Sequence, residues 1–221
     1  EYFQGIYANK MRYSLKQTFA TMYQGEEFGV DAFGCEDDLE DLTLEDCIKA
    51  YNDMLINDVI NISIVGDVDE LDVNLILNQM FNFSPRKKEL KLIDDSPKPQ
   101  RNPQELFESQ NVSQAKMVLG YQFPAYYSTE DYYKAVVLNT LVGNGPESLL
   151  FKRIREELSL VYFIGSVYDQ NKGSFVIYGG INQKDYHNVQ KEVENILLDV
   201  KNMTYENKFL LIAKKAIVSG L

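Results

Sequence analysis

Apolar positions along the chain recur at two periods, and the two periods alternate. Residues 7–23 have helical character and stop at the Gln24-Gly25 break. After a glycine-containing acidic loop, Thr43-Leu44-Glu45-Asp46 has the form of a capping box, in which a hydroxyl and a carboxylate satisfy the first free N–H groups of a helix. Leu44, Ile48, Tyr51 and Leu55 continue that helix at its own period. Asn61–Val65 predicts a strand closed by Gly66-Asp67, and Val73, Ile76, Leu77, Met80 and Phe81 predict an amphipathic helix. Helix, strand, helix is an α/β pattern.

A second run of elements follows. Gln114–Tyr121 predicts a strand and Asp131–Leu141 a helix. Asn144-Gly145-Pro146 predicts the start of another helix, with Pro146 near the first turn, where its missing N–H does no harm. Val161–Tyr168 and Ser174–Ile181 are apolar and aromatic, and the polar stretch Asp169–Gly173 between them marks a hairpin. Tyr186, Val189, Val193, Ile196, Leu197 and Val200 form an amphipathic helix, and Thr204 is placed to cap the last one. Between the two runs lies 84–106, which holds four of the six prolines and a local excess of Lys and Arg. Prolines remove backbone donors and interrupt both helix and central strand, so this stretch reads as an extended linker. The expected division is a first module over 6–83, the linker 84–106 and a second module over 107–221. Residues 1–5 (Glu-Tyr-Phe-Gln-Gly) resemble a protease-tag remnant and are set aside, and the chain reads as a fragment of a longer two-domain protein.

Composition narrows the classes of function. An apolar fraction of 45% supports an ordinary core, and a net charge of −11 argues against nucleic acid and against an anionic membrane surface. No apolar run reaches transmembrane length. Cys35 and Cys47 match neither a redox nor a zinc spacing and fit a reduced cytoplasmic protein. Gly143–Ser148 precedes a helix but lacks the Lys of a phosphate loop, so a structural turn is the better reading. The acidic run Glu36–Asp41 lacks the central glycine of a calcium loop. Glu156 and Glu157 diverge on a helix, and the single histidine, His187, has no second His or Cys nearby to make a metal site.

Chemistry is concentrated in Leu149–Tyr168, where a helix end turns into an aromatic strand. Arg155 and Tyr162 stand seven residues apart across that turn. A permanent guanidinium and a phenol donor suit a carbonyl or oxyanion. The same residues also admit a structural role, with Arg155 paired to a carboxylate and Tyr162 packed in the strand.

The stretch 144–166 (NGPESLLFKRIREELSLVYFIGS) resembles the second-domain signature of the pitrilysin/insulinase-type, processing-peptidase-like family. There a glycine-containing turn precedes a Leu-Phe-x-x-(Leu/Ile)-Arg-Glu helix and then a Leu-x-Tyr strand. Ile62–Val68 and Gln114–Tyr121 resemble further strands of that family, and Tyr7–Gly34 looks most like its YfmF-like, non-zinc branch. Val161 departs from the Gly or Ala that many relatives carry before the Tyr. The resemblance implies an α/β (α+β) fold of two similar modules, each an antiparallel-rich sheet packed with helices in the LuxS/metallopeptidase manner. It implies that Arg155 and Tyr162 bind the substrate peptide's carbonyl and stabilise the transition state. It further implies no cofactor in this chain, with zinc held by a homologous peptidase subunit as partner. Two alternatives stay open: an inert scaffold or peptide-binding relative, and a self-contained zinc peptidase whose H-x-x-E-H motif lies upstream.

Overall fold

The computed structural model describes residues 2–80, 102–127 and 129–220. The chain divides into two compact units, Cys35–Ser96 and the remainder, Glu1–Gly34 with Pro97–Leu221. Most of the linker expected over 84–106 lies outside the described residues.

The larger unit begins with α1 (Tyr2–Ala8) and α2 (Lys10–Met22), hinged at Asn9, whose side chain caps α2 by accepting from the Arg12 N–H at 3.1 Å. Residues 2–5 of the tag-like start belong to this helix. The Tyr2 ring lies 4.1 Å from that of Phe33, and its hydroxyl donates to Asp31. The expected stop at Gln24-Gly25 is present, with Gly25 at φ +78°.

In the smaller unit, α3 (Glu36–Asp41) leads to α4 (Leu44–Asn57), and α5 (Glu70–Met80) follows. The capping box read at Thr43 and Asp46 is present: Thr43 Oγ1 accepts from the Asp46 N–H at 3.2 Å, and Asp46 Oδ2 accepts from the Thr43 N–H at 3.0 Å. Asn61–Val65, expected as a strand, is not one. An apolar alternating segment becomes a strand only when a neighbour completes its ladder, and no such neighbour occurs among the described residues. The stripe Leu44, Ile48 and Tyr51 on α4 is exposed.

The core sits in the larger unit. Strands β1 (Ala115–Gln122), β2 (Val161–Asp169) and β3 (Ser174–Ile181) form an antiparallel sheet in the order β1-β3-β2. Met117, Ile164, Phe175, Ile177 and Ile181 turn one face inward. They meet side chains of α6 (Tyr132–Val142), α7 (Tyr186–Asn202), α8 (Asn207–Ser219) and a π-helix (Phe151–Glu157). The periodic residues Val189, Val193 and Ile196 of α7 are buried as their spacing predicts. Burying each such side chain contributes about 1.5–3 kcal/mol. On the opposite face α2 packs over β1.

Two expected helix starts move. Helical structure does not begin at Asn144-Gly145-Pro146 but at Leu149. Gly145 takes φ +113°, which no helix admits, and the Ser148 hydroxyl closes the turn on the Gly145 carbonyl at 2.7 Å. Thr204 does not cap the last helix: its hydroxyl donates back to Asp199 Oδ1 at 2.9 Å, and Glu206 holds the cap position of α8.

Candidate active-site surface

Three departures from regular backbone lie within one short stretch and bring Arg155 and Tyr162 together. The first is the π-helix itself, whose wide turn is marked by the Leu158 N–H donating to the Arg153 carbonyl at 3.0 Å. Such turns are rare and gather at functional sites. The second is Ser159, at φ +51°, which reverses the chain between helix and strand. The third is a bulge at the start of β2, where Val161 pairs with Ile181 and Phe163 with Gly180, leaving Tyr162 as the extra residue.

Ile154 anchors this turn from below. It is fully buried, and its carbonyl accepts from the Leu160 N–H at 3.0 Å. The next residue, Arg155, therefore faces outward. Its guanidinium lies 4.6 Å above the Phe151 ring, and its Nε donates to the Tyr162 backbone carbonyl at 3.0 Å. That bond uses one of five N–H donors. The carboxylate pairing considered for Arg155 is instead made by Arg153, which bridges Glu192 at 2.9 Å and Asp199 at 3.4 Å on α7.

Tyr162 is 49% exposed. Its hydroxyl donates to Asn182 Oδ1 at 3.0 Å, and the Asn182 amide donates in turn to Asp185 Oδ2 at 3.3 Å. Beside it, Phe163 also faces out and lies against Gly180. A β-carbon on Gly180 would come within 2.9 Å of Phe163 Cδ1, so only glycine leaves the ring its place. Lys116 Nζ on β1 sits 5.3 Å above the same ring. The surface so formed combines two cations with two aromatic rings and a polar relay, a chemistry suited to electron-rich carbonyl oxygens. Surface cavities of about 420 and 210 Å³ flank α2 instead, and neither touches Arg155 or Tyr162.

The other sequence candidates stay apart. His187 is exposed on α7 beside the Tyr186 ring, Glu156 is held by Lys152 at 3.1 Å, and Cys35 and Cys47 are exposed free thiols. Burial and Glu105, in that order, push the Tyr186 phenol above its ordinary value. Phe163, Gly180, Asn182 and Asp185 escaped the sequence reading. The Asn-x-x-Asp spacing ahead of α7 was their one visible signal.

A family described as peptidase M16 inactive domain matches residues 41–211, which include Arg155 and Tyr162. The chain belongs to the peptidase M16 inactive-domain family. A "probable inactive metalloprotease YmfF" of Bacillus subtilis is 27% identical over 97% of this chain and 50% of its own length. An "uncharacterized zinc protease YmxG" of the same organism is 22% identical over 90% of this chain and 48% of its own. Among solved structures, a conserved protein from Enterococcus faecalis superposes with a TM-score of 0.89 at 26% identity, covering 98% of this chain and 51% of that one. An M16 inactive domain from Pseudomonas fluorescens superposes with a TM-score of 0.77 at 19% identity, over 98% of this chain and 53% of that one. The M16 chain thus spans about half the length of the relatives it matches.

Zinc proteases stand among these relatives, but the donors among the described residues of this chain do not fit zinc. Its one histidine lies on a helix surface, and no group of three His, Cys, Asp or Glu side chains converges among the described residues. Nor, among those residues, is any helix long and apolar enough to cross a membrane.

Proposed function

We propose that this M16 chain is the non-zinc member of a heteromeric peptidase, and that Arg155 and Tyr162 bind the carbonyl of a substrate peptide. The observation that carries the reading is the joint presentation of the two side chains on an open surface by a π-helix and a bulge. Both are outward, and among the described residues neither is absorbed by an ion pair and no enclosing wall rises over the surface. A facing subunit would complete it, and metal-activated water is that partner's contribution. The peptide's strand pairing also belongs to the partner, because the outer edge of β2 is already engaged. Arg155 holds the Tyr162 carbonyl there, and the Gly143 carbonyl accepts from the Ser166 N–H at 3.1 Å. We place the assembly in the reducing cytoplasm on the strength of the two exposed thiols.

Within this reading Arg155 supplies a fixed positive charge and Tyr162 a neutral donor to the oxygen on which charge develops. Preorganised donors of this kind each contribute on the order of 3 kcal/mol to the transition state, about a hundredfold in rate. The test is co-purification with a zinc-bearing homologue and peptide cleavage by each chain alone and by both. The mixture should cleave where this chain does not, and Arg155→Ala or Tyr162→Phe should lower its rate about a hundredfold. Mutant mixtures that cleave as fast as wild type would sink the proposal. A zinc-bearing homologue that is fully active alone would favour the scaffold reading.

A further inference from the structure

A phenol has one proton to donate, and in this structure Tyr162 has committed it. Asn182 Oδ1 accepts that proton at 3.0 Å, and the orientation of the amide is not arbitrary. Asp185 is a pure acceptor when ionised, so the Asn182 edge that faces its Oδ2 at 3.3 Å must be the NH2. The carbonyl oxygen of the amide is thereby turned toward Tyr162, and the phenol is obliged to donate rather than accept. The contact spans twenty residues of sequence and exists because of the bulge. Asn182 directly follows Ile181, the residue paired with Val161, and Tyr162 is the extra residue next to that pair.

We propose that Asn182, oriented by Asp185, is the positioning residue of Tyr162. Its Oδ1 accepts the Tyr162 hydroxyl's hydrogen bond at the end of β3 in the resting site, and the hydroxyl turns that bond to the substrate carbonyl when a peptide docks. This rests on the reading of Tyr162 as a carbonyl ligand. Without Asn182 the half-exposed ring would turn among its rotamers with the proton on water, and the pair would lose the preorganisation on which such donors depend. The exchange of hydrogen-bond acceptor transfers no proton and changes no charge: the hydroxyl keeps its hydrogen and leaves one oxygen acceptor for another.

Two measurements test it. The first needs no partner and no turnover. Tyrosine labelled with 13C at the ζ carbon reports hydrogen bonding of each phenol, and Tyr162→Phe identifies the Tyr162 signal among the fifteen tyrosines. At neutral pH, Asn182→Ala should move that signal toward the position of free tyrosine. Asp185→Asn, which lets the amide turn over, should move it part of the way, and His187→Ala should leave it in place. An unmoved signal in Asn182→Ala would overturn the relay. The second measurement is cleavage by the assembled peptidase. Asn182→Ala should lower kcat about tenfold with KM unchanged, and should cost nothing further in a Tyr162→Phe background. An equal loss in that background would make Asn182 merely structural and overturn the inference, while leaving Tyr162 as a carbonyl ligand. If Tyr162→Phe itself costs nothing, the carbonyl-ligand reading falls and the substrate step of this inference falls with it, whatever the spectrum shows.

Discussion

Gly143 is the position where one methyl group should do most damage to the surface that carries Arg155. It joins α6 to the turn before the π-helix, and its carbonyl receives the Ser166 N–H of β2 at 3.1 Å. A β-carbon there would stand 2.7 Å from the Ser166 nitrogen, 2.6 Å from its Oγ and 2.8 Å from Leu150 Cδ1. None of these can retreat easily. Leu150 is fully buried, Ser166 is 6% exposed, and the Ser166 backbone is held in register opposite Ile177 of the central strand β3. Overpacking of this kind costs about 1–3 kcal/mol, and a buried N–H left without its carbonyl costs about as much again. The two effects share one cause and do not add fully, so Gly143→Ala should destabilise the fold by about 3 kcal/mol. Urea unfolding followed by tyrosine fluorescence, the chain having no tryptophan, should show a lower midpoint with an unchanged slope. A loss below about 1 kcal/mol would mean that the loop moves freely off β2, and the account of that edge would be wrong.

Two further outcomes follow from the same unit. Arg153→Ala removes the bridge from the π-helix to Glu192 and Asp199 on α7; because the pair is partly exposed, the cost should be about 1 kcal/mol at low salt and should shrink at high salt, and a salt-independent loss would point to packing instead. Burial pushes the Tyr23 phenol up to about 12, so its neutral form is favoured in the folded state, and its contribution is intact below the ordinary tyrosine value near 10 and lost as pH rises toward 12. Spectrophotometric titration should show one phenol resisting ionisation until about that pH; Tyr23→Phe should abolish it and flatten the alkaline loss of stability, at the price of the 2.7 Å bond from its hydroxyl to the Lys172 carbonyl.

What the sequence disclosed and what it withheld divide along a physical line. Features set by neighbours a few residues apart were legible. The box at Thr43, the buried stripe of α7 and the hairpin around Asp169–Gly173 all depend on local spacing and turn chemistry, and all are present. Features set by a distant partner were not. Asn61–Val65 has the composition of a strand but no ladder among the described residues, and composition cannot supply one. Thr204 looked like a cap because a hydroxyl before a helix usually is one, yet Asp199 competes for it from the preceding helix. At the site, Arg155 and Tyr162 were found through their spacing and family resemblance, whereas Asn182 becomes their neighbour only through the pairing of β2 with β3.

The bulge explains why the pair cannot be understood from either residue alone. In a regular strand, side chains alternate, so Val161 and Ile164 would face opposite ways. Both are 8% exposed and both enter the same core. The extra residue between them makes this possible and turns Tyr162 and Phe163 outward together. At the bulge the Tyr162 backbone carbonyl lies on the free outer edge of β2, and Arg155 takes it. The structural and the functional readings of Arg155 are therefore not rivals. Its Nε closes the bulge that displays the tyrosine, and the remaining donors of the same guanidinium are what a substrate would meet. It follows that Arg155→Ala perturbs two things at once, the charge and the bulge. Tyr162→Phe removes a single hydroxyl and leaves the backbone as it was, which makes it the sharper test of whether this surface takes part in peptide cleavage.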